Sequence, residues 1–128
     1  MSRVHLDANV LVALSDPSLP FFATVAEAIA RGDQMETSVI AWHEYARGPL
    51  LPEDQARAAR LVEGRIVALT RPMAELAARL FNETGRRRAS TADCLIAAAA
   101  IKANAELLTD NIADFEGFVP HGLSLLEP

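Results

Sequence analysis

The side chains best able to do chemistry in this sequence are carboxylates. Asp7 follows the apolar stretch RVHL and opens DANVLVALS; Glu44 lies in AWHEYARG; Asp93 lies in STADCLIAAAAIKAN. Asp110 and Asp114 stand four residues apart in ELLTDNIADFEG. Acids of this kind have two readings. They can start helices, where a carboxylate meets free backbone N–H groups. Gathered at one place, they can instead hold a hard divalent cation. No covalent nucleophile competes with these readings. The lone Cys94 has no base beside it in sequence, and His5, His43 and His121 show no metal-ligand spacing.

Taken singly, the acids divide. Asp7 is caught between an apolar strand and the apolar start of a helix, which predicts partial burial. A buried carboxylate needs a partner or a metal, so function is favoured there. Glu44 has the spacing to pair with Arg47 on a helix surface, and spacing alone favours that reading. Ser90 and Asp93 form STAD, a capping box with Asp for the usual Glu or Gln, and on its own the cap is the stronger reading. Asp110 and Asp114 are equal candidates. The basic run Arg86, Arg87, Arg88 reads first as a solvated turn, with phosphate contact ahead of a helix N-terminus as a weaker alternative.

The elements that must position these acids follow a simple order. RVHL (3–6) reads as strand one and feeds a helix with Asp7 and Asn9 in its N-cap region. DPSLP is a turn, and FFATVAEAIARGD is helical, with Phe21 or Phe22, Val25 and Ile29 on its apolar face and Gly32 as its stop. QMET is strand two, and Ser38 caps the helix VIAWHEYARG. Pro52 starts PEDQARAARLVEG, RIVAL is strand three, and Pro72 and Gly85 bracket RPMAELAARLFNETG. STADCLIAAAAIKAN is an alanine-rich helix, AELLT strand four and LSLLE strand five. Strand and helix alternate, so the expected fold is α/β, with a mostly parallel sheet of about five strands covered by helices. Such sheets take ligands beyond the carboxyl ends of their strands, where Asp7, Asp110 and Asp114 lie.

Composition limits the alternatives. A chain of 128 residues, 51% of them hydrophobic, predicts one domain over 1–128 with a real core and argues against disorder. The longest apolar run, CLIAAAAI, is too short to span a bilayer, and MSRVHLDANV lacks a signal peptide's apolar core. A cytoplasmic protein without membrane contact is expected. The net charge of −5 disfavours general nucleic-acid binding, though not a phosphate substrate held through a cation.

The ordered set VHLDANVLVAL, SVIAWHEYARGP and ASTADCLIAAAAIKANAELLTDNIADFEG resembles PIN-domain proteins, and more closely the VapC-type toxin ribonucleases of type II toxin–antitoxin pairs. The resemblance covers most of the chain. It implies a PIN-like three-layer sandwich and a catalytic set of Asp7, Glu44, Asp93 and Asp114. Asp7, Asp93 and Asp114 would ligate Mg²⁺ or Mn²⁺, with Glu44 and Asp110 as further possible ligands. Asn9, Thr109 and Asn111 would orient the ligands. Asp110 falls at a variable position of the last motif. Some relatives instead carry the last acid where Asn111 stands. The implied activity is metal-dependent endoribonuclease cleavage that leaves a 3′-hydroxyl and a 5′-phosphate. The implied partners are an RNA substrate, a cognate antitoxin and a second copy in a homodimer. Two other readings are weighed. A haloacid-dehalogenase-like phosphatase would need an aspartate two residues after Asp7, where Asn9 stands. A non-catalytic PIN-like module that binds RNA or protein has no need of the full acid set.

Overall fold

The computed structural model describes residues 2–128. Five strands form its sheet: β1 (Arg3–Leu6), β2 (Gln34–Ser38), β3 (Ile66–Val67), β4 (Glu106–Leu108) and β5 (Ser124–Leu125). Their spatial order is β3-β2-β1-β4-β5, and every neighbouring pair is parallel. Seven helices accompany them: α1 (Ala8–Ala13), α2 (Pro20–Ala30), α3 (Val39–Ala46), α4 (Pro52–Leu61), α5 (Arg71–Glu83), α6 (Thr91–Lys102) and α7 (Ile112–Phe115). Two 3₁₀ turns, Arg88–Ser90 and Glu116–His121, precede α6 and follow α7.

The strand pleat divides the core into two. Val4, Leu6, Met35 and Leu108 point to one face, where they pack with Val10 and Leu11 of α1, Phe21 and Val25 of α2, and Ala58 of α4. Leu107 points to the other face, among Ala77 and Leu80 of α5, Ile96 and Ala97 of α6, and Phe115. Alternation along the strands therefore makes three layers, helix, sheet and helix. The small residues of α6 matter here. Ala97, Ala98 and Ala100 are fully buried, so this helix lies close against its neighbours.

Local signals account for most helix starts. Ser38 accepts a bond from Ala41 N at 3.1 Å, capping α3, and Thr70 does the same for α5 through Met73 N at 3.3 Å. Proline stands in the first turn of α2, α4 and α5. Several expectations shift. Strand three contracts from RIVAL to Ile66–Val67 and strand five from LSLLE to Ser124–Leu125, both at sheet edges with one neighbour each. Ile29 is 48% exposed, and Phe21, Val25 and Ala28 form the buried stripe of α2 instead. Among the described residues no helix is long and apolar enough to cross a membrane.

Candidate active site

The sheet order reverses direction between β1 and β4. From β1 the chain builds outward through β2 and β3, then returns to lay β4 on the other side. A crevice opens beyond the carboxyl ends of two such strands because their connections leave in opposite directions. Asp7 follows β1 and Thr109 follows β4, so both stand at this crevice. The strands continue to bond there: Asp7 N donates to Leu108 O at 3.1 Å.

Asp7 is 4% exposed and its carboxylate is held by three donors. Ala8 N donates to Oδ1 at 2.8 Å. Thr109 Oγ1 donates to Oδ2 at 2.7 Å, and Asn9 Nδ2 to the same oxygen at 3.3 Å. Capping of α1 and a role in the crevice thus coexist in one side chain. Asn9 also accepts from Asp110 N at 3.1 Å, and Thr109 Oγ1 accepts from Asn111 N at 3.0 Å. These bonds tie the start of α1 to the loop after β4. Asn9 is spent as a structural amide at the place where a phosphatase of the haloacid-dehalogenase type needs an acid.

Glu44 projects from α3 and is partly buried. Burial raises its pKa, the charge of Asp7 raises it further, and Arg47 and His43 act the other way. Among the described residues Glu44 and Arg47 form no ion pair, so the helix-surface pairing suggested by their spacing is absent.

Asp93 lies in the first turn of α6. Its pKa is pushed up to about 6, by burial first and then by the charges of Asp7, Asp114 and Glu44, while Arg87 pulls it down. The capping-box reading does not hold. Ser90 makes no side-chain cap bond to α6; its hydroxyl donates backward to Arg87 O at 2.7 Å. Asp93 is therefore left without a capping partner.

Asp114 and Asp110 separate. Both are exposed, Asp114 in the first turn of α7 and Asp110 in the preceding loop. Asp114 is among the charges that raise Asp93, and Asp110 is not. Arg86 bonds to Asn82 and lies over the Phe81 ring at 5.7 Å. Cys94 is buried, and burial raises its thiol pKa, which disfavours the reactive thiolate.

A further buried pair escaped the sequence reading. His5 Nδ1 lies 2.7 Å from Glu36 Oε2, with both residues at most 1% exposed. They face each other only because β1 and β2 align His5 with Glu36 across 31 residues of sequence. Neither bonds to Asp7, Glu44, Asp93 or Asp114. Their role is to join two central strands.

The donors in the crevice are all oxygens, the type that Mg²⁺ and Mn²⁺ prefer. Among the described residues no three acidic, histidine or cysteine side chains stand close enough to form a ready coordination set. Burial does most to raise the pKa of Asp93, and repulsion from the charges of Asp7, Asp114 and Glu44 adds to it. A divalent cation relieves that repulsion, so the donor set fits the ion in chemistry.

Comparisons with known proteins agree with this fold. A family model described as the PIN domain matches residues 4–116. The fold is similar to VapBC2 from Rickettsia felis bound to a promoter DNA fragment, at TM-score 0.74 and 20% identity, covering 97% of each chain. It is similar to VapBC-1 from nontypeable Haemophilus influenzae, at TM-score 0.72 and 23% identity, covering 98% of this chain and 97% of that one. A toxin–antitoxin complex from Klebsiella pneumoniae matches at TM-score 0.64 and 24% identity, covering 89% and 91%. No curated protein sequence matches the chain.

Proposed function

The chain belongs to the PIN domain family, and from that premise we propose that it is a metal-dependent endoribonuclease, the toxin of a type II toxin–antitoxin pair. The observation that carries the reading is the placement of Asp7, buried at the strand-end crevice, bonded by Asn9 and by Thr109 of the loop after β4, with Oδ1 only partly engaged. Burial and then the charge of Asp7 raise the pKa of Glu44, and burial and then the charges of Asp7, Asp114 and Glu44 raise that of Asp93. A structural role needs no such concentration of like charge.

Asp7, Asp93 and Asp114 would hold Mg²⁺ or Mn²⁺, and Glu44 would hold a second ion or take a proton from water. The bound ion would supply polarisation of a phosphate oxygen and a water of lowered pKa. The chain's own residues set the rest. Thr109 and Asn9 fill Oδ2 of Asp7, while Oδ1 accepts only from Ala8 N and keeps a lone pair free. Oδ1 is thus the oxygen of Asp7 left to bind. Glu44, with its raised pKa, is suited to accept a proton. Hydrolysis would add water's oxygen to phosphorus and break the bond to the 3′ oxygen, leaving a 3′-hydroxyl and a 5′-phosphate.

The relatives of the same fold from Rickettsia, Haemophilus and Klebsiella support a protein partner, since the last was solved as a toxin–antitoxin complex. For this chain the partner would be a cognate antitoxin, with a homodimer as the resting assembly.

The test is cleavage of RNA by the purified protein with Mg²⁺ or Mn²⁺ and with a chelator. Cleavage only with metal, giving 5′-phosphate ends, is expected. Undiminished cleavage in chelator, or 2′,3′-cyclic phosphate ends, contradicts the mechanism. The toxin reading is tested apart from it: expression should arrest bacterial growth, and a co-expressed small partner encoded beside this gene should relieve the arrest.

A further inference from the structure

We propose that Arg87 and Arg47 are the phosphate-holding residues of this site, each gripping one backbone phosphate of single-stranded RNA so that the strand crosses the acid cluster. The inference rests on the nuclease reading and adds the residues that let an acidic site hold an anionic polymer.

The chain carries 12 Lys and Arg against 17 Asp and Glu. Phosphate binding needs cations that are free to engage. Many are committed. Arg31 pairs with Asp33, Arg57 with Asp54 and Arg71 with Glu75. Arg65 donates to Met35 O at 2.7 Å and to Leu61 O at 3.1 Å, and Arg86 is held by Asn82 and Phe81. Among the described residues, Arg47 and Arg87 have no carboxylate within ion-pair distance.

Placement distinguishes these two from the other free cations. Arg47 ends α3, three residues after Glu44. Arg87 is the extended residue just before the 3₁₀ turn that leads into α6 and Asp93. Its backbone is pinned: buried Ser90 donates to Arg87 O from its amide at 2.9 Å and from its hydroxyl at 2.7 Å. The base of Arg87 is fixed while its guanidinium stays unengaged. Helices α3 and α6, which carry Glu44 and Asp93, pack against each other. Their charges also register on the site, Arg87 on Asp93 and Arg47 on Glu44, whereas Arg79 and Arg88 register on neither. A guanidinium suits the task because its planar donors match two oxygens of one phosphate.

The test uses Asp7→Asn protein as a non-cleaving parent and a labelled single-stranded RNA, with affinity read by fluorescence anisotropy across a salt series. Each lost phosphate contact should lower the slope of log affinity against log salt by about 0.7. Arg87→Ala and Arg47→Ala in the parent should each show that drop. Arg87→Lys should keep the slope, since the charge remains, which separates lost contact from a disturbed turn. Arg79→Ala, a control at an exposed position of α5, should match the parent. Slopes for both alanine variants equal to the parent's overturn the assignment and leave the nuclease reading standing. A parent that binds no RNA at any salt overturns both.

Discussion

At the scale of single residues, Asp7 is defined by what donates to it. Thr109 makes its shortest bond, 2.7 Å to Oδ2 in a buried setting. Thr109→Val keeps the shape and removes the hydroxyl, so activity should fall about 10–100-fold, the usual effect of losing a group that orients a metal ligand. Stability should fall by about 1–2 kcal/mol, because Asp7 then keeps a weaker partner; denaturant unfolding and an RNA cleavage assay measure the two. Unchanged activity would show that Thr109 orients nothing. Asp114 and Asp110 give a second test. Asp114→Asn should cost about 100-fold or more in cleavage, as expected for a direct ligand rather than a supporting one, and Asp110→Asn far less. The reverse order would move the last ligand to Asp110. Asp93 makes stability depend on pH. Folded, it keeps its proton up to about pH 6; unfolded, it loses it near pH 4, at roughly the free aspartate value. Between these values the folded state binds the extra proton, so stability falls as pH rises through the window and stays lower above it. Asp93→Asn should therefore melt above wild type at neutral pH in chelator, and the gap should close in acid. An equal melting temperature at neutral pH would deny that folding raises the pKa of Asp93. Sequence conveyed part of this scale. Asp7 was legible because an acid between two apolar segments must be buried. Asp93 was masked by the capping-box pattern, which fails because the Ser90 hydroxyl turns back to Arg87. His5 and Glu36 were illegible as a pair, since their contact depends on strand register.

At the scale of elements, α3 and α6 carry Glu44 and Asp93, and their starts are secured differently. Helix α3 has a strong cap in Ser38. Ser38→Ala should lower stability by about 1 kcal/mol, within the range for losing an N-cap, and reduce cleavage through a less fixed Glu44. Thermal melting and kinetics measure both; no change in melting would show that packing alone holds the helix. Helix α6 is entered through a 3₁₀ turn instead, pinned by Ser90. Proline, serine and glycine signals made the longer helices legible. The four residues of α7 were not, because one turn is too short to show a 3.6-residue period. The edge strands β3 and β5 were read too long for a related reason. A run such as RIVAL has strand composition, but only the residues facing a neighbour acquire a ladder.

At the scale of the whole molecule, the order β3-β2-β1-β4-β5 produces the crevice. Alternation of strand and helix made a parallel sheet legible, but not the order of its strands. That order depends on which apolar faces meet, and no local pattern states it. It places the loop after β4 beside Asp7 and Asn9, across about a hundred residues of sequence. Family membership over residues 4–116 is the ground on which we propose a common role for Asp7, Glu44, Asp93 and Asp114. The central claim is that Asp7 and its neighbours hold the metal that cuts RNA. Its most direct test is cleavage of RNA by purified wild type and Asp7→Asn, side by side, with Mn²⁺ or Mg²⁺, after circular dichroism shows both folded. Metal-dependent cleavage by wild type and none above background by Asp7→Asn is the expected result. Wild-type-level, metal-dependent cleavage by Asp7→Asn would contradict the account.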